Sequence, residues 1–162
     1  MSSSIKKIKN LDELVVICDN LKKQEKTIVT TNGTFDLFHI GHLKSLEDSK
    51  EQGDVLIVGL NSDVSVKKYK SADRPIITQQ LRMEVIAGLE CVDYVFSFDE
   101  TTPNVFLNKL KPQVHTNFIE YGEDCVEKET VIKNGGKLYM LKKYEGYSSS
   151  ILIKKICSIY CK

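Results

Sequence analysis

Two of the three histidines in this 162-residue chain, His39 and His42, stand three residues apart around Gly41. They close the loop Asn32-Gly33-Thr34-Phe35-Asp36-Leu37-Phe38, which follows the β-branched run Thr27-Ile28-Val29-Thr30-Thr31 and leads into a helical pattern. A strand, a glycine turn and a helix N-terminus in succession favour an anion, because free backbone N–H groups and the positive end of the helix dipole converge there. Two imidazoles at that point can hydrogen-bond phosphate oxygens whose charge grows as a leaving group departs. Gly33 and Gly41 let the backbone come close to such a ligand. A second anion signal lies far along the chain, where Ser148, Ser149 and Ser150 run in series before an apolar helical pattern. An ordinary N-cap accounts for one of those serines but not for three.

The elements that must carry these groups alternate regularly. Strands are predicted at 27–31, 54–60, 93–98, 113–118 and 137–141, and helices at 10–24, 41–52, 78–91, 103–111, 124–134 and 149–160. Asn10 with Glu13 three residues later reads as a capping box, Thr78 as an N-cap, and Asn134-Gly135-Gly136 as a helix stop. Strand and helix in turn, with short connections, predict a single α/β domain: a doubly wound, Rossmann-like parallel sheet of five strands with helices on both faces. Residues 1–25 read as a helical extension on a domain covering 26–162. Ligands of such sheets bind beyond the carboxyl ends of the strands, so function is expected in the loops at 32–42, 61–75, 117–124 and 142–150.

Composition narrows the partners. With 23 Lys+Arg against 22 Asp+Glu and a net charge of +1, the chain has no long-range field to attract nucleic acid or an anionic membrane. No window approaches the roughly 20 apolar residues of a membrane span. Five cysteines, an odd number without a CxxC pair, fit a reducing cytoplasm better than a disulfide framework.

The stretch Gly33-Thr-Phe-Asp-Leu-Phe-His-Ile-Gly-His42 resembles the signature of the cytidylyltransferase-like branch of the HxGH nucleotidyltransferases. The segments Asn61-Ser-Asp-Val-Ser-Val-Lys67, Lys70, Arg74-Pro75, Gln80-Leu-Arg82-Met83, Val92-Asp-Tyr-Val95, Asn134-Gly-Gly136 and Gly146-Tyr-Ser-Ser-Ser150 fall in the order and spacing of heptose 1-phosphate adenylyltransferases. Glycerol-3-phosphate cytidylyltransferases match the first and last motifs and less of the middle. The resemblance covers about residues 26 to 156. It implies catalytic roles for His39, His42, Lys67 and Arg82, and nucleotide contacts for Gly33, Thr34, Phe35, Gly41, Lys70, Lys143, Ser148, Ser149 and Ser150. Asp36 orients the turn or meets the sugar.

The implied reaction needs no general base, since a phosphate oxygen of a sugar phosphate is already an anionic nucleophile at pH 7. Positioning and electrostatics carry the rate. Mg²⁺ is implied as the companion of the triphosphate, bound mainly through phosphates, and the family's habit implies a homodimer. One stretch departs from the family: Asn117, Phe118, Ile119 and Glu120 before Tyr121 replace its Lys-Gly-x-Asp. Asn117, Phe118, Glu120 and Tyr121 are therefore read as substrate or specificity residues. The expected activity is transfer of AMP from ATP to heptose 1-phosphate. The alternatives are a glycerol-3-phosphate or related alditol phosphate cytidylyltransferase and, from another class, a catalytically weakened nucleotide-binding protein. A class I aminoacyl-tRNA synthetase would need a longer chain with a Lys-Met-Ser-Lys-Ser loop, and a dinucleotide oxidoreductase would need GxGxxG after the first strand.

Overall fold

The computed structural model describes every residue except 1–3, 120, 121, 123, 124, 143, 145 and 162. After a short 3-10 turn at Ile5–Lys7, α1 (Leu11–Lys23) leads to β1 (Ile28–Gly33), α2 (Ile40–Lys50), β2 (Val55–Asn61), α3 (Asp63–Tyr69), α4 (Gln79–Ala87) and β3 (Tyr94–Phe98). α5 (Asn104–Leu110), β4 (Val114–Phe118), α6 (Lys128–Lys133), β5 (Lys137–Leu141) and α7 (Ser149–Tyr160) complete the chain. The sheet order is β3-β2-β1-β4-β5 and every pairing is parallel. The chain winds outward from β1 in one direction and then returns to the other side, so the switch point lies between β1 and β4, where a crevice opens at the strand ends.

Period-two alternation sends side chains of the same strand to two cores. Val29, Leu56, Val58, Leu60 and Val95 pack on one face with Leu46 of α2 and Met83, Ile86 and Ala87 of α4. Ile28, Ile57, Phe96 and Phe98 pack on the other with Leu14 and Cys18 of α1, Phe106, Leu107 and Leu110 of α5 and Val131 of α6. Burying one such side chain contributes roughly 1.5–3 kcal/mol, and the near absence of polar residues in β2 follows from coverage on both sides. Several polar groups of β1 and β4 are paired, although among the described residues His115 Nε2 has no partner. Thr30 Oγ1 meets His115 Nδ1 at 2.8 Å, Thr31 Oγ1 donates to the Thr116 carbonyl at 3.2 Å, and Ser49 of α2 meets Thr116 Oγ1 at 2.8 Å.

The capping box of α1 forms in both directions, and Gly135 past the end of α6 takes a positive φ of 79° as a helix stop requires. Thr78 occupies the N-cap of α4, but its side chain makes no capping bond. α6 is shorter than the periodicity of 124–134 predicts. The larger difference is α3, a helix inside what reads as the loop 61–75: Ser62 caps it by accepting from Ser65 N at 3.1 Å, and Asp63 complements the dipole in its first turn. Among the described residues no helix is long and apolar enough to cross a membrane.

Candidate active site

The crevice at the switch point is a cavity of about 530 Å³. Gly33, Thr34, Phe35, Asp36 and His42 from the β1–α2 connection form its floor, Tyr69 and Lys70 at the end of α3 one flank, and Asn117, Phe118, Cys125 and Glu127 beyond β4 the other. Ser149 reaches in from the first turn of α7.

His39 is the N-cap residue of α2 and makes no side-chain capping bond there. Its ring stacks on that of His42 with centroids 3.8 Å apart and 19° between the planes. Phe38 stacks on the far side of His42 at 5.6 Å and Phe35 meets it edge-on at 5.3 Å. This packing leaves both histidines half-buried. Burial lowers the His39 pKa, and burial, then His39, then Lys70 push His42 down to about 4. Both shifts favour the neutral imidazole, and among the described residues Nδ1 of each has no hydrogen-bond partner. Two glycines make the packing possible: a Cβ on Gly33 would come within 3.0 Å of the Phe35 ring, and one on Gly41 within 3.1 Å of the His39 ring and 3.3 Å of Tyr147. Phe35 itself sits at a φ of 49°, in the left-handed region that a bulky residue rarely adopts.

Asp36 braces this loop. Its carboxylate accepts from Ile76 N and Ile77 N at 2.9 Å and pairs with Arg74 at 2.7 Å. Burial works to raise its pKa, but the Ile77 and Ile76 N–H groups and the Arg74 guanidinium hold it below the ordinary carboxylate value. Arg82 is 1% exposed and spends its guanidinium on the protein. It donates to the Ile77 carbonyl at 2.9 Å, to the Thr34 carbonyl, to the Asn61 carbonyl at 3.0 Å and to Asp63 at 2.7 Å. The side chain that sequence reasoning directs into the site thus ties together the ends of β1 and β2, α3 and the loop before α4, from behind the cavity floor.

The other expected residues divide. Lys70 lines the cavity, its pKa lowered by burial and by Arg74 and Arg82 against the pull of Asp36. Lys67 is exposed one turn earlier on α3 and is not among the lining residues. Thr34 meets the hydroxyl of Tyr69, a lining residue the sequence did not single out. Ser148 is the N-cap of α7 and accepts from Ile151 N at 3.2 Å, Ser149 faces the cavity, and Ser150 is exposed on the helix. The serine run therefore splits into a cap and a cavity residue. Asn117 and Phe118 line the cavity, whereas Ile119 is 57% exposed. Glu120, Tyr121 and Lys143 lie outside the described residues. Cys125 and Glu127, both in the wall, fall at the start of the predicted helix 124–134, where nothing marks them as lining residues.

Among the described residues no three His, Cys, Asp or Glu side chains gather where they could hold a metal, and the Asp36 carboxylate is committed to Arg74, Ile76 and Ile77.

The sequence profile described as cytidylyltransferase-like matches residues 30–155. The protein is 44% identical over 160 residues to the bifunctional protein HldE of Geobacter metallireducens, covering 98% of this chain and 33% of that one. To HldE of Campylobacter jejuni subsp. doylei it is 42% identical over 151 residues, 93% of this chain and 32% of the relative. The chain thus spans about a third of the length of these relatives. Among solved structures, the lipopolysaccharide core biosynthesis protein of Thermoplasma volcanium superposes with a TM-score of 0.61 at 26% identity, over 74% of this chain and 99% of its own. Pantoate-β-alanine ligase of Francisella tularensis, with a TM-score of 0.65 over 96% of this chain and 79% of its own, is 17% identical and shares the fold.

Proposed function

This chain belongs to the cytidylyltransferase-like family, and we propose that it transfers a nucleoside monophosphate, AMP from ATP, to a sugar phosphate of the heptose 1-phosphate class with release of pyrophosphate. The observation that carries this reading is the convergence of His42, Lys70 and Ser149, from three separate elements, on one cavity at the sheet's switch point. A phosphate oxygen of the sugar phosphate attacks the α-phosphorus; its P–O bond forms as the bond to pyrophosphate breaks, and no proton has to move. His39 and His42 face the α-phosphate. An arriving triphosphate shifts a nearby imidazole toward its protonated form, which counters the lowering by burial when the substrate is present. Ser149 and the first N–H groups of α7 hold the β- and γ-phosphates, with Ser148 fixing the helix start. Lys70, and Lys67 behind it, meet the acceptor's phosphate. Gly33, Thr34, Phe35 and Gly41 shape the floor. Asp36 and Arg82 are positioning residues, since both act through the loops they tie down.

Mg²⁺ arrives with the triphosphate as part of the substrate, held by phosphate oxygens and water. A relative described as a lipopolysaccharide core biosynthesis protein agrees with a sugar-phosphate acceptor. The homodimer reading is supported by α7, which has no buried residue and exposes Ile151, Ile156 and Ile159. Five free cysteines agree with a reducing cytoplasm.

A matrix of ATP, CTP, GTP and UTP against heptose 1-phosphate, glycerol 3-phosphate and other sugar phosphates, read by pyrophosphate release, tests the assignment. Turnover with ATP and heptose 1-phosphate is expected. Turnover restricted to CTP and glycerol 3-phosphate moves the chain to the alditol phosphate enzymes, and no turnover in any cell removes the enzymatic reading.

A further inference from the structure

The flank of the cavity beyond β4 holds an acidic group that the phosphate chemistry does not use. Glu127, the residue leading into α6, is 7% exposed and lines the cavity beside Asn117, Phe118 and Cys125. Among the described residues its Oε2 has no hydrogen-bond partner. A buried carboxylate oxygen without a donor is destabilising, and such groups are rare in folded proteins unless something outside the fold completes them. The neighbouring Cys125 thiol meets the carboxylate but leaves this oxygen over. The Cys125 thiol is pushed up by burial first and then by its hydrogen bond to the Glu127 carboxylate, while the Asn117 side chain works in the opposite direction. Both side chains therefore reach the thiol. Asn117 Oδ1 is taken by Phe118 N at 2.8 Å, which fixes Phe118 against this wall.

Charge separates the two flanks. Lys70 stands on the α3 side, where an anionic acceptor is welcome. Glu127 stands across the floor from it, and a carboxylate repels phosphate while accepting from N–H and O–H groups. An uncharged, donor-bearing moiety belongs there. Resting on the nucleotidyltransferase reading, we propose that Glu127 is a specificity-determining residue that accepts a hydrogen bond from the nucleoside, either from the exocyclic amino group of the base or from the ribose 2′-hydroxyl, with Phe118 as the apolar surface the base lies against. The Lys-Gly-x-Asp stretch missing from this chain would then be replaced by a carboxylate delivered from the start of the next helix.

Calorimetric titration of the full chain with Mg²⁺ and ATP, inosine triphosphate or 2′-deoxy-ATP, in the wild type and in Glu127→Gln, tests this. Inosine triphosphate turns a carbonyl toward the carboxylate in place of an amino group, and 2′-deoxy-ATP lacks the hydroxyl. One hydrogen bond to a charged group corresponds to a preference of about 10- to 100-fold. If the base is read, the wild type prefers ATP over inosine triphosphate by that factor and Glu127→Gln, whose amide can turn either atom inward, brings the ratio near unity. If the ribose is read, the ratio of ATP to 2′-deoxy-ATP behaves that way instead. A wild type that binds all three alike, or a folded Glu127→Gln with both ratios unchanged, overturns the assignment. Should Glu127→Gln fail to fold, the wild-type ratios decide. Failure of the underlying reading looks different: a wild type that binds none of the three triphosphates overturns both, whereas unchanged ratios in a chain that still binds ATP and releases pyrophosphate overturn the Glu127 assignment alone.

Discussion

The floor of the cavity and its flank beyond β4 handle their buried acidic and basic side chains on opposite plans. In the floor, every buried charge is consumed by the fold: Asp36 by Arg74 and two backbone N–H groups, Arg82 by three carbonyls and Asp63. In the flank, Glu127 keeps an oxygen without a partner and the Asn117 oxygen turns back on its own neighbour. Preorganised groups stabilise charge without reorganisation during the reaction, which is what a floor serving the phosphates requires. A wall that selects among ligands must instead leave some polar capacity unspent for the ligand to fill.

The contrast is broken most severely at Arg82. Arg82→Met removes the guanidinium and strands the buried Thr34 and Asn61 carbonyls, the Ile77 carbonyl and Asp63, so a loss of about 3–5 kcal/mol is expected by chemical denaturation, together with low turnover in whatever remains folded. Arg82→Lys should recover part of the stability and little of the turnover, because one ammonium cannot span the same carbonyls. If Arg82→Met melts like the wild type, the floor is not held together from behind.

His42→Ala tests the floor's chemistry rather than its bracing. Turnover at saturating substrate should fall about 10²–10³-fold with the circular dichroism unchanged, and His39→Ala should act similarly. Near-normal turnover in both would reduce the stacked rings to packing.

Acid should weaken the interior that supports the floor. Burial pushes His115 down to about 3 and His42 to about 4 from an ordinary value of 6.5. Between those values and 6.5 the unfolded chain takes up protons that the folded rings refuse, so stability is full above pH 6.5 and declines as pH falls below it. His115 alone accounts for roughly 2 kcal/mol at pH 5, to be read as a drop in melting temperature between pH 7 and pH 5 that shrinks in His115→Gln.

The smallest expected effect sharpens the comparison at the edge of the cavity. Ser149→Ala should raise the nucleotide KM about tenfold while leaving the acceptor KM near its starting value. Ser148→Ala should instead lower the melting temperature, as loss of a cap costs ~1 kcal/mol. Exchanged phenotypes would mean that the cap and the phosphate ligand have been assigned to the wrong serines.

Much of this layout was legible in the sequence because its signals are local. Strand periodicity with glycine turns located all five strands, and the paired histidines located the floor. α3 escaped because seven residues carrying Val64 and Val66 give too short a run for a 3.6-residue period to rise above noise, although Ser62 and Asp63 are a helix start in retrospect. Arg82 shows a different limit: periodicity puts it on α4 but not on which side its guanidinium ends, since that depends on where the distant Thr34 and Asn61 carbonyls point. Glu127 was invisible for the same reason. Its burial is created by the fold around it, and nothing in Cys-Val-Glu-Lys-Glu distinguishes Glu127, which is enclosed, from Glu129, which is exposed.

The position of α7 also sets how the cavity comes apart. The β1–β2 centre is shut in by two cores, so its amides open only with the whole molecule, whereas α7 lies on the surface with no residue of its body enclosed. Elements of that kind release their amides through private, low-energy openings. Deuterium should therefore enter α7 long before it enters β1, and each such opening carries Ser149 out of the cavity while the histidine floor stays whole. Triphosphate, by bridging the two, should slow exchange in α7 more than anywhere else in the chain.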